Sequence, residues 1–81
     1  MKVEIREIGN DVDNKKRVAF TITSDNQQKY LIDKSVTLSS KKSNDDYIKE
    51  AYDLAKPEID NWMSNIDPVG KTYNPSTGKV E

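Results

Sequence analysis

Arg17-Val18-Ala19-Phe20-Thr21-Ile22-Thr23 decides the fold class. Val18, Phe20 and Ile22 alternate with Arg17, Ala19, Thr21 and Thr23, the period of two that turns one face of a strand to a core and the other to water. β-branched and aromatic side chains fill the run, as strands favour. Working outward, Ser24-Asp25-Asn26-Gln27 is a turn of residues that hydrogen-bond their own backbone, and Gln28 to Asp33 resumes extended character with Tyr30 and Ile32 in phase. Val36 and Leu38 carry the alternation past Lys34, so this third strand either runs long or bends near Asp33. Upstream, Val3 and Ile5 alternate with Lys2, Glu4 and Arg6 as a first strand with one buried face. Ile8 falls out of phase, which predicts a bulge or an early strand end before a polar loop over Gly9 to Lys15.

After Leu38 the period changes. Ser39 to Lys42 is a polar connector, and Ser43-Asn44-Asp45-Asp46 marks a helix start. Ser43 is the expected N-cap, with Asp46 reaching back to it in a variant capping box and acidic groups at the positive end of the helix dipole. Ile48, Ala51, Tyr52, Ala55, Ile59, Trp62, Met63 and Ile66 then follow by threes and fours along one stripe. Pro57 lies inside this pattern, where an interior proline removes a hydrogen bond to the Asp53 carbonyl and costs about 3 kcal/mol. Either the helix kinks there, or one helix ends near Lys56 and another starts at Pro57. The stripe stays in phase through Pro57, which favours one kinked helix to about Asn65. Its apolar face needs the apolar face of the sheet, so the expectation is an α+β domain: a three-stranded antiparallel sheet packed against one C-terminal helix. Asp67 to Gly70 ends the helix, and Asn74 to Gly78 is a second turn, so residues 67–81 form a hairpin or a flexible tail of a single domain spanning 1–81.

Composition narrows the function. Leu, Ile, Val and Phe make up 17 of 81 residues, barely above the level of roughly 20% below which chains stay disordered. The balance of 13 Lys and Arg against 14 Asp and Glu leaves a net charge of −1, so self-repulsion does not hold the chain open. A chain this short holds one core. There is no Cys and no His, which removes disulfides, Cys/His zinc sites, thiolate nucleophiles and imidazole bases from its chemistry. No cofactor is expected. Met1 to Arg6 lacks the apolar stretch of a signal peptide and no run is long enough to span a membrane, so the expected location is cytoplasmic or virion-associated.

Asp11 and Asp13 match the first two ligand positions of a calcium loop, but Lys15, Lys16 and Ile22 stand where oxygen, glycine and glutamate are required, leaving a polar hairpin loop. Lys15-Lys16-Arg17 and Lys41-Lys42, with Tyr30, Tyr47 or Tyr52 as stacking surfaces, have the ingredients of a nucleic-acid contact. A sequence pI near 5.4 opposes it. Asp46, Glu50, Asp53 and Asp60 lie at offsets of 4, 7 and 14 on the helix, an acidic stripe suited to a basic groove on a protein partner or simply a solvated face. Trp62 is either core or a contact anchor, and core is favoured because few other large apolar side chains exist. No pair of carboxylates has a spacing that marks catalysis, and enzymatic function is not expected.

Val69-Gly70-Lys71-Thr72-Tyr73-Asn74, followed by Pro75-Ser76-Thr77-Gly78, resembles the ends of small proteins encoded among the tail genes of phages and prophages of Gram-positive bacteria, which often finish with a glycine, an aromatic residue and an Asp or Asn turn. The richness in Lys, Asn, Asp and Ile resembles products of low-GC bacteria and their phages. The resemblance implies a genomic setting and assigns no functional residue. It leads to the expectation of a non-catalytic protein-interaction module, a virion or tail-associated accessory protein. The alternative is a small acidic inhibitor or regulator that presents Asp46, Glu50, Asp53 and Asp60 to a host or phage nucleic-acid enzyme.

Overall fold

Three consecutive strands form an antiparallel sheet in the order β1-β2-β3: β1 (Lys2–Asp11), β2 (Lys15–Thr23) and β3 (Lys29–Thr37). They are followed by one helix, α1 (Asn44–Ile66), and a separate two-stranded hairpin of β4 (Tyr73–Asn74) and β5 (Lys79–Val80). The computed structural model describes all residues, 1–81. The architecture is the expected α+β arrangement with a single helix and a short terminal hairpin.

The ladder places Val3 opposite Ile22, Ile5 opposite Phe20 and Ile8 opposite Val18, so all three β1 side chains share the core face of β2. That phase is kept because the register shifts between Ile5 and Glu7, where Arg6 is the extra residue of a bulge. The Arg6 guanidinium donates to the Phe20 carbonyl at 3.0 Å beside the interruption. The expected loop over Gly9 to Lys15 contracts to three residues. Gly9, Asn10 and Asp11 pair with Arg17, Lys16 and Lys15, and only Val12, Asp13 and Asn14 turn. Asp13 and Asn14 both take a φ of 59°, in the left-handed region these two residue types tolerate better than other non-glycine residues. The third strand is the long alternative, paired with β2 without interruption from Lys29 to Thr37.

The helix begins as its sequence dictates. The Ser43 hydroxyl accepts from the Asp46 N–H at 3.3 Å, and the Asp46 carboxylate accepts from the Ser43 N–H at 2.9 Å, a complete capping box. The helix passes through Pro57 and ends at Ile66. Asp53, whose carbonyl loses a donor there, and Pro57 are both exposed, so water can serve the freed acceptor.

The core joins Val18, Phe20, Ile22, Ile32 and Val36 of the sheet to Tyr47, Ala51, Ala55 and Ile59 of the helix. The two alanines let the helix backbone approach the sheet closely. Tyr52 meets Phe20 edge-on at 6.0 Å and Trp62 stacks on Tyr30 at 5.2 Å. Trp62 is therefore part of the packing, although only partly buried. Tyr47 is a core residue that lies outside the expected stripe. Its hydroxyl donates to the Ser39 carbonyl at 2.7 Å and accepts from the Ser39 N–H at 3.0 Å, which satisfies the one polar atom it buries.

α1 packs chiefly on β3 and secondarily on β2. A helix is about 10 Å across and strands are spaced about 4.8 Å apart, so one helix covers two strands and not three. β1 is left outside the cover. The opposite face of the sheet is polar: Arg17 bridges Glu7 of β1 at 2.9 Å and Asp33 of β3 at 2.6 Å, above the buried Ala19 that pairs with both. The molecule extends 59 × 18 × 18 Å, longer than the helix alone, which spans about 34 Å.

Candidate functional site

The four carboxylates of the acidic stripe are all exposed on α1, and Glu50 and Asp53 border a depression shared with Lys15, Ser35, Val36 and Thr37 of the sheet. Each carboxylate already has a partner within the chain. Asp46 is held in the capping box, Glu50 meets Lys42 at 2.9 Å, Asp53 meets Lys49 at 2.9 Å and Asp60 meets Lys56 at 2.8 Å. Lys49 and Lys56 stand four residues before their partners, so the face alternates in sign. The hydrogen bond from Asp53 and then its charge raise the Lys49 ammonium pKa, and Asp60 does the same to Lys56. The Ser43 N–H holds the Asp46 carboxyl below the ordinary aspartate range. Geometrically this surface is a neutralised, ion-paired helix face.

The aromatic rings that a nucleic-acid contact would need are engaged elsewhere. Tyr30 lies against Trp62, Tyr52 against Phe20, and Tyr47 is buried beneath Lys16 and Lys42, whose ammonium groups stand 5.3 and 5.7 Å from its ring centre. Stacking on bases requires a free ring face beside the backbone-binding cations. Lys16 and Lys42 here cover the tyrosine that a base would stack on.

No three Asp or Glu side chains converge as a metal site. A depression of about 510 Å³ at one end of the sheet is lined by Met1, Lys2, Glu4, Thr23, Ser24, Asp25, Gln27 and Lys29. No helix is long and apolar enough to cross a membrane.

The surface that stands out was not among the sequence candidates. On the core face of β1, Val3 and Ile5 remain 39% and 51% exposed, with Met1 beside them at 53%. The expectation that this face of the first strand is buried fails for both residues, because α1 lies over β2 and β3. Only Ile8, past the bulge, packs against the core. β1 is also a sheet edge, with its outer backbone groups unpaired by the sheet. An open apolar strip and a free strand edge thus coincide on one short segment. The sequence signal for it was present in the count of elements: three strands with an apolar face and one helix to cover them.

Comparison of the chain with protein-family models, with curated proteins and with solved structures yields no match.

Proposed function

We propose that this protein is a non-catalytic protein-interaction module of a phage or prophage, acting as a virion or tail-associated accessory protein. The observation that carries the interaction reading is the uncovered part of the sheet. Val3 and Ile5 lie on the same face as the core yet stay exposed, beside an unpaired edge, and strand addition at such an edge combines backbone hydrogen bonds with side-chain contacts. The phage setting rests on the resemblance of Val69 to Gly78 to the ends of tail-region proteins.

The acidic-inhibitor alternative gains less from the geometry. An inhibitor that imitates nucleic acid needs carboxylates free to meet a basic groove, and Glu50, Asp53 and Asp60 are each engaged by a lysine of this chain. A pull-down with tagged protein from host and phage-infected lysates, at low and high salt, separates the two. Recovery of identified virion proteins that persists at high salt is the expected result. Recovery of a nucleic-acid enzyme that disappears at high salt would replace this function with the inhibitor.

A further inference from the structure

We propose that the β1 edge is a self-association surface, on which a second copy of this chain pairs its own β1 antiparallel about a two-fold axis at Val3. The inference rests on the interaction-module reading in using the same open strip, for which a second copy competes with any other added strand.

The register follows from face and charge. A two-fold pair of antiparallel strands sets residues opposite their counterparts symmetrically about one central position, and opposed residues share a face. Before the bulge at Arg6, β1 offers a regular run of Lys2, Val3, Glu4 and Ile5, with Met1 immediately ahead of it and its ammonium held by Asp25 at 2.8 Å. An axis at Val3 sets Val3 against Val3 and Met1 against Ile5 on the core face, with Lys2 against Glu4 on the outer face. Each apolar side chain meets an apolar one and each charge meets its opposite. An axis at Lys2 instead sets two lysines face to face, and an axis at Glu4 sets two carboxylates face to face, which is destabilising across a ladder. An axis at Ile5 sets Val3 against Glu7 and runs into the bulge. Val3 is thus the centre that complements the whole run.

The local structure is suited to this pairing. Lys2 and Glu4 stand 3.8 Å apart along their own strand, both largely exposed, so pairing re-sorts their charges without removing either from water. Met1, Val3 and Ile5 are 53%, 39% and 51% exposed, and six such side chains from two copies cover one another beside the two helices. The result is a continuous six-stranded sheet with both helices on one face. The bulge at Arg6 ends the regular edge and limits the contact to this short run, so the dimer is expected to be concentration-dependent.

Sedimentation over a wide range of loading concentrations tests the proposal with four proteins: wild type, Lys2→Glu, Glu4→Lys and the double swap. Symmetry places each substitution in the interface twice, so each single variant should weaken dimerisation by about tenfold. The double swap restores opposite charges and should recover most of that loss. Circular dichroism at low concentration should be the same for all four, since both residues are exposed. A wild type that stays monomeric at every concentration overturns the proposal, as does a dimer indifferent to the single substitutions or a swap that fails to rescue. Those outcomes leave the virion reading to its own test, because recovery of virion proteins from a lysate is measured independently of self-association.

Discussion

Val3 stands directly opposite Ile22 in the β1–β2 ladder, yet Ile22 has no exposed surface while Val3 keeps 39% of its own. The two residues share a face, but Ile22 lies on the central strand beneath α1 and Val3 on the uncovered edge strand. Removing them should therefore have unequal effects. Ile22→Ala is expected to cost about 3 kcal/mol, a large share of the stability of roughly 4 to 12 kcal/mol typical of a chain this size. Val3→Thr with Ile5→Thr keeps strand propensity and should cost less than about 1 kcal/mol. Urea unfolding of the two variants beside wild type measures both.

Tyr30 and Trp62 form the second tie between helix and sheet, with ring planes 17° apart. Trp62→Ala removes that stack and much of the cover at the far end of the helix, and should cost about 3 kcal/mol. Trp62→Phe should recover more than half of the loss. Thermal unfolding followed by far-ultraviolet circular dichroism is the suitable readout, since Trp62 is the only tryptophan.

Much of this architecture is legible in the residues themselves. The alternation of Val18, Phe20 and Ile22 marks β2, and the Ser43 to Asp46 spacing marks the helix start, because both are local rules of backbone geometry and hydrogen bonding. Tyr47 was missed, although it leads a series with Ala51, Ala55 and Ile59 spaced by fours, because Ile48 opens a competing series one residue later. Asn10 and Asp11 resemble loop residues yet pair with Lys16 and Lys15. The Ser35 hydroxyl donates to Asp11 at 2.7 Å, a contact across the sheet that no local rule contains. The open strip on β1 is legible only as a count, three strands to one helix, and not as a place. Periodicity tells which side of a strand is apolar, and the width of what covers it is a tertiary fact. The acidic stripe was legible as a line of charge, but Lys42 reaches Glu50 from outside the helix.

Stability should be flat from about pH 5 to 7, since the chain has no histidine. Three carboxyls are held below the ordinary aspartate range: Asp46 by the Ser43 N–H, Asp11 by the Ser35 hydroxyl and then the Val12 N–H, and Asp25 by the N-terminal ammonium. A lowered folded-state pKa contributes stability that is complete above the unfolded value and is lost as pH falls through the folded one. The melting temperature should therefore decline below about pH 4. Lys49 and Lys56 are raised, so their contribution is complete below the unfolded lysine value and lost above about pH 10.4. Asp46→Asn keeps an acceptor for the Ser43 N–H but no longer titrates, and should make the acid decline shallower. Melting curves across pH for wild type and this variant check the sign of each effect.

Reversal of Glu50 and Asp53 to Lys breaks the contacts to Lys42 and Lys49. Lys49 and Asp53 are exposed and Lys42 is partly buried beside an exposed Glu50, and ion pairs at a protein surface contribute between zero and about 1 kcal/mol each. The fold should survive, with unchanged circular dichroism and a modestly lower melting temperature. Complete unfolding of this variant would mean that the helix face carries more of the structure than its ion pairs account for.

The most direct test of the interaction surface is a side-by-side capture from phage-infected lysate by wild type, the Val3→Thr/Ile5→Thr variant and the Glu50→Lys/Asp53→Lys variant, with partners identified by mass spectrometry. Virion proteins are expected on wild type and on the helix variant, with their loss from the β1 variant. Retention by the β1 variant, together with loss from the helix variant, would contradict it and place the contact on the acidic face of α1.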